Sequence, residues 1–361
     1  MDLEKTILRV LVVGCGNMGS SHAAAYQYIN GFEICGLVST GASKIVLNDQ
    51  LGGGYPMFDE YESALLQTKP DVVCISTYPD THELFAIKAM EQGCHVFIEK
   101  PLADTLAGAK RVAEAAKKYN RKLLIGYILR YHPSWKHFIK LSHDIGKPLV
   151  MRMNLNQQSD GAKWNVHRNL MKSLSPIVDC GVHYIDVMCQ MTRSRAIQVS
   201  AIGARLTDDI PAGNYNYGQL QIRFEDGSVG WYEAGWGPMI SETAFFIKDV
   251  IGPKGSVSII AKEAAAEGKS SSIASHTKTE AIKVHYAELN EQQQFSKPDL
   301  WIDLYDEPNH QELCNREQLY LLKAINENID LTESTADAIN SLMIAFACDE
   351  SVRTGNVIRL D

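Results

Sequence analysis

The chain has no apolar run long enough to cross a membrane and no charged-then-apolar leader; Met1-Asp2-Leu3-Glu4-Lys5-Thr6 leads straight into a strand. A membrane span or secretory signal is therefore not expected, and a cytoplasmic protein is. Basic runs are missing as well. With a net charge of −8, nucleic acid is excluded as a natural partner, and the mild acidity serves solubility. None of the eight cysteines forms a CxxC pair. Cys15, Cys35, Cys74, Cys180 and Cys189 lie in or beside apolar or motif segments, the pattern of buried, reduced thiols. What is present is ordinary for a globular chain: 45% hydrophobic and 22% charged residues. The length of 361 residues exceeds what one small core covers, so two domains are expected, 1–128 and 129–361.

The first of these reads as a doubly wound α/β sheet. Leu8 to Val13 is a short, nearly all-apolar run, as in a buried parallel strand. Further strands fall at Phe32–Val38, Asp71–Ser76, His95–Glu99 and Lys122–Tyr127, with helical patterns between them. The first strand enters Gly14-Cys15-Gly16-Asn17-Met18-Gly19 directly, and a helix follows. In a GxGxxG loop so placed, the first glycine makes the turn and the second lets backbone approach a pyrophosphate. The third allows close helix packing, and the phosphates rest on the helix N-terminus.

The acid that usually holds the adenosine ribose is missing. The end of the second strand reads Val38-Ser39-Thr40-Gly41-Ala42-Ser43-Lys44, without a carboxylate. An acid there would repel a 2′-phosphate, so its absence, with Ser39, Thr40 and Lys44 close by, tilts the expected cofactor from NAD towards NADP; no arginine is present to decide it. After Ser76 the loop Thr77-Tyr78-Pro79-Asp80-Thr81-His82 lies at the sheet edge where ligands bind, which makes Thr77, Pro79 and His82 cofactor-facing candidates; Asp80 or Thr81 also reads as a helix cap.

Two further signals carry chemistry. Glu99-Lys100-Pro101 ends a strand, and the residue before proline stays extended, keeping Lys100 out of a helix. Its X–Pro bond is of the kind that adopts cis at functional edges. Lys100 can polarise a substrate hydroxyl, or simply pair with Glu99 at the surface. Ser175-Pro176 starts a helix expected to reach about Met191. Asp179, His183, Asp186 and Gln190 then share one stripe, beside an apolar face of Val178, Val182, Ile185 and Cys189. Gly181 inside a helix costs about 1 kcal/mol against alanine, so a close approach is expected there. His183 can take and return a proton near neutral pH, with Asp179 one turn earlier to orient it. A metal held by Asp179 and His183 is the other reading, but no further ligand cluster accompanies them, and none is expected.

At these motifs, together with Gly126-Tyr127-Ile128-Leu129-Arg130-Tyr131-His132-Pro133 and Asp179-Cys180-Gly181-Val182-His183-Tyr184-Ile185-Asp186, the chain resembles the glucose–fructose oxidoreductase / inositol dehydrogenase / MocA family over nearly its whole length. The resemblance implies a Rossmann domain followed by an α+β domain with an open, mostly antiparallel sheet that carries the substrate cleft. It implies Lys100, Asp179 and His183 as catalytic residues and Glu99 among the cofactor contacts. His183 would be the base, Lys100 would polarise the oxygen, and Asp179 would hold substrate and histidine. Sugars, sugar derivatives or cyclitols are the implied substrates, and homodimers or homotetramers the implied assemblies. Many members carry a glycine-rich run before the aspartate where this chain has Ser173-Leu174-Ser175-Pro176-Ile177-Val178, which changes the rim of the site.

Arg130, Trp164 and His167 are further substrate candidates; a tryptophan beside donors suits a sugar face, and a structural loop fits equally. Tyr217–Phe224 and Ser228–Ala234 alternate as strands of a hairpin, and Trp231, Tyr232 and Trp236 suit sheet packing or an oligomer face. Residues 262–300, with Gly268-Lys269-Ser270-Ser271-Ser272, read as a polar excursion, and Gln311–Ile325 and Ser334–Arg353 as terminal helices. The expected activity is NAD(P)-dependent hydride transfer. An enzyme of the same fold that retains NAD and hydrolyses a glycoside, and a non-catalytic dinucleotide sensor, are the alternatives; intact Lys100, Asp179 and His183 argue against the last.

Overall fold

The computed structural model describes residues 7–241, 247–260, 270, 277, 279–304 and 307–360. The chain divides into two compact units, Met1–Ile128 with Gln311–Ile339, and Leu129–His310 with Asn340–Asp361.

The first unit holds a parallel sheet of β1 (Leu8–Val13), β2 (Phe32–Val38), β3 (Met57–Phe58), β4 (Val72–Ile75), β5 (His95–Ile98) and β6 (Leu123–Ile125), in the order β3-β2-β1-β4-β5-β6. Helices α1 (Asn17–Tyr28), α2 (Ser43–Gln50), α3 (Tyr61–Thr68), α4 (His82–Glu91) and α5 (Leu106–Lys118) connect the strands. Val10 to Val13 and all of β4 are buried on both faces, which is why their sequences are continuous apolar runs. The strand order reverses between β1 and β4, and such a switch point is where α/β sheets take their ligands.

The C-terminal segment of this unit was not expected there from a cut at residue 128. In α10 (His310–Asn326), Leu313, Cys314, Leu321 and Ala324 are buried. Hydrogen bonds tie the segment to the Rossmann part: Tyr26 Oη donates to Gln318 Oε1 at 2.7 Å, Gln311 to the Ser21 carbonyl at 2.8 Å, and Lys122 to that of Ile329 at 2.7 Å. No local sequence pattern announces such long-range partners.

Among its described residues the second unit holds nine strands: β7 (Val150–Gln158), β8 (Ala196–Ala204), β9 (Tyr217–Phe224), β10 (Val229–Gly237), β11 (Lys248–Gly252), β12 (Gly255–Ile260), β13 (Ala281–Tyr286), β14 (Leu300–Asp303) and β15 (Ile358–Arg359). Their order is β14-β13-β12-β11-β7-β10-β9-β8-β15, and only β7 and β10 run parallel. The helices are α6 (Pro133–Ser142), α7 (Gly161–Leu170), α8 (Pro176–Asp179), α9 (Gly181–Thr192) and α11 (Thr332–Thr354), the first turns of α11 belonging to the other unit. The expected hairpin is present: β9 and β10 pair antiparallel around Glu225–Ser228, with Gly227 at φ +85°. Part of the polar excursion is ordered sheet, since β13 pairs with β12 and β14; most of Gly268–Ser272 lies outside the described residues, Ser270 excepted. Among the described residues no helix is long and apolar enough to cross a membrane.

Candidate active site

The glycine loop leaves β1 at the switch point. Gly14 has φ +91°, and a Cβ on it would lie 2.4 Å from the Ser76 carbonyl oxygen. A Cβ on Gly19 would lie 1.7 Å from the Gly14 carbonyl oxygen, whereas one on Gly16 meets nothing within 4 Å. Two glycines are thus required by the protein's own packing, and the middle one leaves an open concavity. Gly16, Asn17 and Met18 reach the surface, and the first turn of α1 has no side-chain cap and no acidic residue. Uncapped N–H groups beside open backbone form a cradle for a phosphate, so the residues present fit a dinucleotide.

At the other end of that site, Ser39 follows β2. Its backbone N–H donates to the Phe58 carbonyl at 3.1 Å, and its Oγ lies 2.8 Å from Ser43 Oγ. Thr40 is exposed. Lys44 folds back: Nζ donates to the Ser39 carbonyl at 2.7 Å, to that of Gly41 at 3.2 Å, and to Asp59 Oδ1 at 2.5 Å. Asp59 did not figure among the candidates, because it follows a two-residue strand with almost no sequence signature.

In the loop after β4, Thr77 is half-buried and its Oγ1 lies 2.6 Å from that of Thr81. Pro79 is buried and opens a 3₁₀ turn. His82 is fully buried, its ring nitrogens 2.8 Å from the Pro101 carbonyl and 3.1 Å from that of Thr77. Burial holds its pKa below the usual histidine range. It clips this loop to the one after β5 rather than facing outward.

Glu99 is likewise turned inward and is 7% exposed. His22, on α1, lies 2.7 Å from Glu99 Oε1 through Nε2; its Nδ1 accepts from Gln318 at 3.0 Å, and Gln318 accepts in turn from Tyr26. The backbone N–H of Lys100 donates to Glu99 Oε2 at 3.2 Å, and Gly126 leaves room for the carboxylate, a Cβ there falling 3.2 Å from it. The Lys100–Pro101 bond is cis, and Lys100 is half-buried. One chain of buried hydrogen bonds therefore joins the helix of the phosphate cradle to the backbone of Lys100. His22, Cys314 and Glu317 place ligand atoms within 4.8 Å of one another. Both nitrogens of His22 are already engaged, however, and burial, with the nearby Glu99, pushes the Glu317 carboxyl well above the usual range.

In the second unit the helix expected from Ser175 to Met191 is two. Ser175 Oγ caps α8, accepting from Val178 N–H at 3.0 Å, and Pro176 opens it, as its sequence predicts. The break falls at Cys180, and Gly181 restarts the helix as α9. The close approach at Gly181 is that of the Tyr232 ring, whose Cε1 would lie 3.1 Å from a Cβ there. From Pro176 to Met188 every residue is buried except Asp179 and His183. The rest of the polar stripe is structural. Asp186 is 1% exposed and binds Arg130 through both guanidinium arms, the Nε contact measuring 2.8 Å; Gln190 donates to it at 2.7 Å.

That ion pair occupies the fork of Arg130, a proposed substrate contact. Trp164 lies in a helix, not the loop that was its alternative reading, and is buried among Met171, Cys180, Ile210 and Trp236, its indole N–H 3.3 Å from Asp209. His167 stacks on Trp236 with centroids 4.5 Å apart and lies 2.9 Å from Ser159 Oγ. Burial lowers its pKa to about 4, opposed by the charge of Asp179. Trp236 and Tyr232 are core residues, and Trp231 is half-buried. Sequence reasoning missed Lys248, fully buried under the Tyr184 ring at 4.4 Å, its pKa lowered by burial to about 7.

Residues 8–127 match the model of an oxidoreductase family with an NAD-binding Rossmann fold, and residues 139–258 match the GFO/IDH/MocA C-terminal domain. The D-glucoside 3-dehydrogenase of Escherichia coli K12 is 26% identical over 183 residues, 50% of this chain and 52% of that protein. An inositol 2-dehydrogenase of Corynebacterium glutamicum strain R is 28% identical over 196 residues, 53% and 56%. These matches span little more than half the length of the curated relatives. The scyllo-inositol dehydrogenase of Lactobacillus casei, solved with NAD(H) and scyllo-inositol, shares the fold with a TM-score of 0.75 at 19% identity, covering 98% of this chain and 99% of that one. With both domain models matched in order over most of the chain, it belongs to the GFO/IDH/MocA oxidoreductase family.

Proposed function

We propose that the protein is a nicotinamide-dependent dehydrogenase or reductase acting on a secondary alcohol or ketone of a sugar, a sugar derivative or a cyclitol. The observation that carries this reading is the selective exposure on α8 and α9: of thirteen consecutive residues from Pro176 to Met188, only a carboxylate and an imidazole reach the surface. A solvent face would expose a whole stripe, whereas a built site exposes the groups it uses. The open cradle at Gly16 supports the cofactor side of the reading.

In the oxidative direction, His183 takes the hydroxyl proton and Asp179 orients the imidazole and holds a neighbouring hydroxyl. The Lys100 ammonium stabilises negative charge developing on the reacting oxygen. Gly16, Asn17 and Met18 would hold the nicotinamide dinucleotide, NAD or NADP, which when bound would supply a hydride acceptor for the carbinol carbon as the alcohol becomes a ketone. The buried Glu99–His22–Gln318 chain fixes the backbone from which Lys100 projects. An assembly of two or four chains is part of the same proposal.

The test is absorbance of reduced nicotinamide across a panel of sugars and cyclitols, with NAD and NADP in parallel and His183→Ala as control. A substrate-dependent signal lost in the variant supports the reading. Nucleotide that cannot be dialysed away, with no net redox turnover across the panel, would overturn it in favour of a glycosidase that retains NAD, and exchangeable nucleotide with no turnover would point to a sensor.

A further inference from the structure

We propose that Asp59, supplied by β3, does the work of the missing β2 carboxylate, reading the 2′-hydroxyl of the adenosine ribose and selecting NAD over NADP. The inference rests on the dinucleotide reading of the same cradle and gives it a direction.

The position about twenty residues beyond the last glycine, where a ribose-binding acid ordinarily stands, is Ser39. In the sheet its neighbour is the end of β3: Val38 pairs with Phe58, and Ser39 N–H donates to the Phe58 carbonyl at 3.1 Å. Asp59 is the next residue. Lys44 bridges the two chain ends, touching the Ser39 carbonyl at 2.7 Å and Asp59 Oδ1 at 2.5 Å. The Asp59 carboxylate is therefore delivered to the tip of β2 from the neighbouring strand.

Lys44 was the cation that argued for NADP, and the structure removes that argument. An ammonium has three N–H donors. Those of Lys44 go to Ser39, Gly41 and Asp59, and its side chain is only 12% exposed. None is left for a phosphate without breaking this arrangement. The Asp59 side chain is 73% exposed, and among the described residues its Oδ2 takes no hydrogen bond. It is thus an acceptor turned to solvent, as a ribose hydroxyl requires. Glu60 follows it, so the charged side chains at this corner are two acids and one lysine. A 2′-phosphate would add about −1.5 to −2 charges to a corner already short of cations.

The test is direct binding of NADH and NADPH to the full chain, followed by nicotinamide fluorescence, with wild type, Asp59→Asn and Lys44→Ala. No turnover or substrate is needed. The wild type is expected to bind NADH roughly tenfold or more tighter than NADPH, the scale of one hydrogen bond to a charged group. Asp59→Asn is expected to lower that ratio at least about tenfold, by weakening NADH and by freeing Lys44 for the phosphate. At so exposed a site the variant is expected to keep the fold, and a thermal melt checks it. A wild type that prefers NADPH, or an Asp59→Asn ratio equal to wild type, overturns the assignment. Selective loss of NADPH binding in Lys44→Ala overturns it too, by making the lysine the phosphate's partner. Binding of neither nucleotide to the wild type instead overturns the dinucleotide reading on which the assignment rests.

Discussion

Gly16 and Gly19 lie three residues apart in one loop, and the structure gives alanine opposite consequences at the two. At Gly16 the backbone is at φ −79°, a value any residue adopts, and a Cβ meets no atom within 4 Å. Removing a glycine at a compatible position restricts the unfolded chain and stabilises by about 0.4–1 kcal/mol. Gly16→Ala is therefore expected to melt at or slightly above the wild-type temperature. Its methyl group nevertheless stands where the pyrophosphate would approach. Losing one or two backbone hydrogen bonds to a charged phosphate, at about 1.5–3 kcal/mol each, weakens nucleotide binding by roughly 10-fold to 10⁴-fold. At Gly19 the added Cβ would fall 1.7 Å from the Gly14 carbonyl oxygen, and backbone must move to admit it. Overpacking of this kind costs about 1–3 kcal/mol or more, or about 2–10 °C in melting temperature. Thermal melts paired with NADH titrations separate the two. A Gly16→Ala protein that melts as low as Gly19→Ala, or binds NADH as the wild type does, would refute the assignment of Gly16 to the phosphate.

Other expectations follow from the same geometry. His183→Ala and Lys100→Ala should each lose about 10²–10⁴-fold in turnover while NADH affinity stays within about threefold, as expected of proton transfer and charge stabilisation rather than nucleotide binding; near-wild-type turnover in either removes its role. Glu99→Gln keeps the shape of the buried chain but weakens its bond to His22, and should lower melting temperature and turnover together, which a melt and a rate measurement would check. The half-buried His167 has a pKa near 4 against an ordinary 6.5, so the folded state binds its proton less readily than the unfolded state. Its contribution is complete above pH 6.5 and is lost as pH falls towards 4, a total of about 3 kcal/mol. Urea midpoints from pH 7 to 4.5 should fall less steeply in His167→Gln than in wild type.

The Rossmann half was legible because its signals are local. A continuous apolar run, a glycine loop and a helix follow one another within Leu8–Tyr28. The cap at Ser175 and the proline after it were equally legible. The second sheet was legible mainly where alternation is clean, as in Tyr217–Phe224. In β7 the burial pattern loses its alternation after Met153, and a sequence without a clear period hides the strand. The roles of Glu99, His82 and Arg130 were hidden for another reason. Each is a polar residue in a motif, and only the fold shows that its partners are His22, the Pro101 carbonyl and Asp186.

These hidden partners explain why the exposed groups are so few. A stripe of Asp179, His183, Asp186 and Gln190 offers several polar side chains to whatever faces it. Arg130 takes Asp186 out of that set, and Gln190 turns to the same carboxylate. Tyr232, seated on Gly181 and stacked on Tyr184 at 5.0 Å, holds the helix where Asp179 and His183 emerge. A larger residue at Gly181 must push that ring aside, and the ring is fully buried against its neighbour. Gly181→Ala should therefore cost more than the usual helix gain from alanine returns, lowering the melting temperature by a few degrees and turnover with it. If Gly181→Ala melts higher and turns over normally, the glycine is an ordinary helix residue and Tyr232 does not set the position of the pair.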